Sequence, residues 1–173
     1  MRLALALIVL AALAGPCQAG AGDFARQSPA ALKAGIEGKH PAAYFVLAKK
    51  EFEAGRRDEA VFWLYLGQVR YRAHLRARPN LEPSGDPALF SSLMEVVGRP
   101  INEYAFGNIP VLASTIDDVL AWDAAHPDGF TSKESHAGTR ATVRQGLAEL
   151  KAEILTRQDE IRATRARNGL GNR

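Results

Sequence analysis

Ala43–Arg70, AYFVLAKKEFEAGRRDEAVFWLYLGQVR, reads as two helices joined by a tight turn. Tyr44, Leu47, Ala48 and Phe52 fall on one face of a helix running from Pro41 to about Ala54. His40-Pro41 opens that helix, and Gly55 sits where a glycine ends one. The next helix runs from about Asp58 to Arg78. At 100° per residue its Phe62, Leu66, Val69, Ala73 and Ala77 fall within an arc of about 80°, which predicts the buried stripe. Small residues at Ala48, Ala60 and Gly67 let two antiparallel helices approach closely while Tyr44, Phe52 and Leu64 fill the gaps.

The helical pattern continues on both sides. Ser28-Pro29 pairs an N-cap with proline at the first helical position and predicts a short helix fading at Gly35 to Gly38. Asp86-Pro87 repeats the device, with Leu89, Phe90, Leu93, Met94 and Val97 on one side until Gly98 and Pro100. A brief helix or turn covers Ile101 to Phe106. Leu112, Ile116, Val119 and Leu120 mark a helix from about Pro110 to Ala125, followed by the turn His126-Pro127-Asp128-Gly129 and a polar loop through Gly138. The last helix, about Thr139 to Arg167, carries Val143, Leu147, Leu150, Ile154 and Ile161 within about 60°, a narrow seam suited to one groove or one partner. No run alternates as a strand does. The expectation is a single all-α domain, 22–173, of six or seven helices with a long C-terminal helix and a frayed tail at 168–173.

The chain has 173 residues, 22 Lys plus Arg against 19 Asp plus Glu, and one cysteine. A domain of about 150 residues buries close to 70% of its unfolded surface, so a core needs no staples. One thiol builds neither a disulfide framework nor a cysteine-ligated metal site. Residues 1–21 resemble a cleaved signal peptide: Arg2, an apolar run from Leu3 to Ala14, and small residues at Ala19-Gly20-Ala21. The run is too short for a permanent membrane span. The expected location is therefore the periplasm or outside the cell. Lipid attachment at Cys17 is disfavoured because Pro16 stands where a small residue is needed. Removing the segment takes the formal charge from +3 to +2 and leaves no thiol.

The 43–70 stretch resembles one helix-turn-helix unit of the tetratricopeptide or Sel1-like repeat type, through Tyr44, Leu47, Ala48, Phe52, Gly55, Ala60, Trp63, Leu64 and Gly67. No second copy follows, whereas a solenoid needs about three. Repeats of this type are binding scaffolds, so the resemblance implies partner recognition rather than catalysis.

Six residues stand out as binding candidates: Trp63, Tyr65, Arg70, Tyr71, His74 and Arg78. The three aromatics lie outside the buried arc, either under a neighbouring helix or lining a partner groove. Arg70, His74 and Arg78 share one side of the helix, facing solvent or an acidic partner, while Arg72 and Arg76 point elsewhere. That division argues against nucleic acid, which would want the cations together with stacking aromatics. Asp123, His126 and Asp128 are close in sequence but lack the spacing of a metal site, and capping explains His126 adequately. No cofactor or metal is expected. Gly-x-Ser-x-Gly and phosphate-loop signatures are absent, and Glu103 is the carboxylate to try first as a general acid. The leading expectation is a periplasmic module binding a protein or peptide, for example an immunity-type protein or an envelope-complex component. The alternatives are a hydrolase of envelope material and a homodimer through the C-terminal seam.

Overall fold

A computed structural model describes residues 21–173; the expected signal segment apart from Ala21, and with it Cys17, lies outside the described residues. The helical segments are α1 (Ala21–Ala25), α2 (Pro29–Lys33), α3 (Ala42–Glu53), α4 (Arg57–Ala77), α5 (Asp86–Leu93), α6 (Arg99–Ala105), α7 (Ile109–Ala125), α8 (Ala137–Thr156) and α9 (Gln158–Arg167). The chain is an all-α domain, with no strand among the described residues.

Local chemistry sets most boundaries. The Ser28 side chain accepts the Ala31 N–H, and Asn108 does the same for Val111, each followed by proline in the first turn. Gly55 takes a positive φ of 81° and turns the chain between α3 and α4. Two boundaries differ from expectation. Gly98 and Pro100 do not end a helix: α5 passes through a π-turn, Met94–Gly98, directly into α6. There the Arg99 N–H bonds the Met94 carbonyl, and proline's missing donor falls where the ladder is already shifting. The last helix breaks at Arg157 into α8 and α9. With α1, that break accounts for nine segments where six or seven were expected.

The centre of the domain is α4, packed on α3, α6, α7 and α8. The expected stripe understates its burial. Trp63, Leu64, Tyr65, Leu66, Val69, Tyr71 and Ala73 are all buried, so the helix is enclosed around most of its circumference. Fully burying Phe45, Leu47, Leu64 and Leu66 contributes about 1.5–3 kcal/mol each. The hairpin closes as the small residues predict. A Cβ on Gly67 would stand 2.9 Å from the Tyr44 Cβ and 3.1 Å from the Phe45 ring.

The seam on α8 and α9 docks within the chain rather than facing outward: Val143 and Ile154 are buried, with Leu147, Leu150 and Ile161 packed on the same core. The tail is not frayed. The Arg173 N–H donates to Gly107 O at 2.7 Å, and its guanidinium lies 3.5 Å from the Tyr104 ring centre.

Two glycine substitutions should therefore move stability in opposite directions. Gly67→Val, forced against α3, is expected to cost about 1–3 kcal/mol. Gly146→Ala, mid-helix in α8 with open space around it, should gain about 0.5–1 kcal/mol. Urea unfolding midpoints of the two variants measure both.

Candidate functional site

Arg70, His74 and Arg78 recur every four residues along α4, and the structure turns this row onto the loop after α7. Arg70 Nη1 donates to Pro127 O at 2.8 Å and Nη2 to His126 O at 3.3 Å. Arg78 reaches Thr131 Oγ1 at 3.3 Å and Phe130 O at 3.4 Å. The row is not a solvated face: Arg70 is 1% exposed and His74 3%.

Burying a guanidinium demands carboxylates. Arg70 Nε lies 2.8 Å from Asp123 Oδ1, and its Nη1 3.2 Å from Asp128 Oδ2. Arg140 spans the same two carboxylates at 2.8 and 2.5 Å, and Arg144 Nη1 donates to Asp123 Oδ2 at 2.8 Å. Asp128 Oδ1 also accepts the N–H groups of Phe130 and Thr131, which shapes the loop. Burial works to raise the Asp123 pKa, but Arg70, Arg140 and Arg144 outweigh it and hold the group below the ordinary carboxylate value. Asp123 and Asp128 are thus engaged by arginines. His126 turns away, its Nδ1 donating to Trp122 O and its ring stacked on Trp122 at 3.9 Å.

A second cluster forms where α4, α5 and the start of α3 converge. Asp86, expected as an N-cap, accepts three hydrogen bonds instead: from His40 Nε2 at 3.0 Å, His74 Nε2 at 2.7 Å and Tyr71 OH at 3.0 Å. Phe130 packs on both imidazoles, with ring centres 4.8 and 5.0 Å away. His40, His74 and Asp86 have the composition of a metal-binding trio, their ligand atoms within 4.8 Å of one another. The proton inventory opposes that use. A metal on Nε2 needs a proton on Nδ1, paired with an acceptor. Yet His40 Nδ1 accepts the Ala42 N–H at 3.1 Å, and His74 Nδ1 accepts from Arg78 Nη1 at 2.8 Å. Both imidazoles are therefore the neutral Nε2–H tautomer, assigned from these partners. Neither leaves a nitrogen free to move a proton on a substrate. Burial lowers both histidine pKa values, with Asp86 opposing and Arg78 adding to the fall at His74. Burial would raise the Asp86 pKa, but its hydrogen bonds from His74 and Tyr71 and the proximity of His40 draw it below its usual value.

The remaining candidates are buried too. Trp63 donates Nε1 to Glu59 at 3.2 Å and packs edge-on to Phe62 and Trp122. Tyr65 lies beneath α8, at a small cleft bordered by Val69 and Val143. Of the six residues, only Arg78 keeps appreciable exposure, so they do not form the open partner surface the sequence suggests.

A wide groove lies elsewhere, between the π-turn and α6 on one side and α9 on the other. It measures about 710 Å³, with Met94, Phe106 and Ile161 supplying apolar surface and Arg99, Glu103 and Arg157 among its polar lining. The carbonyl oxygen of the Asn102 side chain is buried beside it without a donor among the described residues. Glu160 and Arg157 are paired at 2.9 Å, and Arg99 pairs with Glu95, whereas Glu103 has no ion pair among the described residues. Arg165 closes one end by donating to Gly171 O at 2.7 Å, which draws the tail onto α9.

No family model matches the chain, and no solved structure matches it. An uncharacterized protein of Haemophilus influenzae is similar, 27% identical over 137 residues, which is 79% of this chain and 51% of that protein. The chain thus spans about half the length of the relative it matches.

Two measurements test the buried clusters. Asp123→Asn, which leaves three arginines short of a counter-charge, should cost about 3–5 kcal/mol in denaturant unfolding. The histidines are neutral when folded, with lowered pKa values. Their contribution is complete above the ordinary value of about 6.5 and is lost as pH falls from there through the lowered folded values. Asp86, also lowered, adds a further loss below about pH 4. Unfolding midpoints taken between pH 7.5 and 5 should fall for the native protein and fall less for His74→Gln, which can still donate to Asp86.

Proposed function

We propose that this chain is an exported protein- or peptide-binding module and that the groove between α6 and α9 receives the partner. The groove carries the reading. Its apolar residues and charged lining suit a short helix or extended segment docked by apolar anchors. The two histidines, by contrast, are fully engaged with protein partners. The likeness of the α3–α4 hairpin to a tetratricopeptide or Sel1-like unit supports the same class, as does the signal-like segment for the periplasm. An immunity-type protein or an envelope-complex component are forms of this function.

Glu103 supports a second reading, a hydrolase of envelope polymers, because it lines the same groove without an ion pair. The two readings separate in one design. Peptides selected on the native protein should lose binding by about tenfold or more to Ile161→Asp, the apolar anchor being worth at least about 1.4 kcal/mol. Failure to enrich any peptide, or binding indifferent to Ile161, would sink the binding module. Turnover of peptidoglycan fragments by the native protein, abolished in Glu103→Gln with the circular dichroism unchanged, would establish the hydrolase instead.

A further inference from the structure

We propose that the cleft between the end of α7 and the start of α8 binds a doubly charged oxyanion, phosphate or a phosphomonoester, through Lys133, Arg140 and Arg144. The cleft measures about 310 Å³, and its charged lining is these three cations with Asp123; three alanines, 124, 137 and 141, leave the remaining walls small. That space suits a small anion and excludes a helix.

The charge inventory is unbalanced. Arg70, Arg140 and Arg144 share two buried carboxylates, Asp123 and Asp128, and Lys133 is a fourth cation beside them. Among the described residues Lys133 Nζ pairs with no carboxylate; it donates to the carbonyls of Asp123 and Ala124 at the end of α7. Arg144 commits one nitrogen to Asp123, leaving its Nε and Nη2 without a protein partner among the described residues. The further carboxylate close by is Glu134, exposed and held by the Ser132 hydroxyl at 2.8 Å. Burial depresses the Lys133 pKa, and repulsion from Arg70, Arg140 and Arg144 adds to it against the pull of Asp123. An anion in the cleft would relieve that repulsion. Among the described residues the N-cap His136 makes no side-chain hydrogen bond to the first turn of α8, and Ala137 of that turn lines the cleft, so the positive end of the helix dipole lies beside it. An excess of two positive charges matches a dianion better than a single carboxylate, and the forked donors of Arg144 match its oxygens.

Titration calorimetry of the full chain at low ionic strength, with inorganic phosphate and separately with phenyl phosphate, tests this. The expected result is saturable binding that is lost in high salt. Lys133→Gln and Arg144→Gln should each weaken it about tenfold or more, because each removes a charge-assisted hydrogen bond to the anion. Arg72→Gln, an exposed cation away from the cleft, should leave it unchanged. Equal affinity for the two probes points to free phosphate, and clearly tighter phenyl phosphate to a monoester. Arg144 is 30% exposed and Lys133 half-buried, so both variants should fold, which circular dichroism checks. Absence of saturable binding at millimolar probe, or binding indifferent to both substitutions, overturns the proposal. The peptide test on the α6–α9 groove is read at the other end of α8 and stands or falls separately.

Discussion

A guanidinium removed from water must find its counter-charges, and in this domain that requirement falls on Arg70. It leaves α4 near the middle of the helix and is satisfied only when α7 brings Asp123 and the following loop brings Asp128. Those two carboxylates are in turn bridged by Arg140 from α8. Four parts of the chain must assemble together, because any subset leaves a buried charge unmatched. The network is therefore better understood as a device of specificity, fixing which surfaces of four elements meet, than as a simple gain in stability.

The same helix divides its surface between two kinds of contact. Towards α3 it offers Gly67 and close apolar packing; towards the loop after α7 it offers the row Arg70, His74 and Arg78. Asp86 extends the polar side by gathering His40, Tyr71 and His74. One face is held by shape and the other by directed hydrogen bonds. A shift of α4 along its axis would break both at once.

Much of this was legible in the residues. The α3–α4 hairpin, the cap at Ser28 and the apolar seam on α8 follow from spacing and capping chemistry. The polar clusters did not, for a physical reason. Periodicity turns Arg70 and His74 to solvent or an acidic partner, since it cannot see that the chain folds Asp123 and Asp128 onto Arg70 and Asp86 onto His74. Asp86 carries every sign of an N-cap, and nothing in the sequence hints that His40 would reach it across 46 residues. The aligned spacing of Arg70, His74 and Arg78 was visible, and it marked a grip on a loop rather than a basic surface. The break at Arg157 and the folded tail depend on contacts of single residues, which no pattern announces.

The π-turn has a consequence for the groove. One extra residue in a helical turn rotates everything after it by about 100° relative to a regular helix. Asn102, Glu103 and Phe106 face α9 because Met94–Gly98 is wound that way. Loss of a single residue there, such as the exposed Val96, would remove the wide turn and swing those side chains out of phase with α9. The groove is thus written in helical register, and relatives that gain or lose one residue at this turn could keep the same domain while presenting a different surface to whatever docks there.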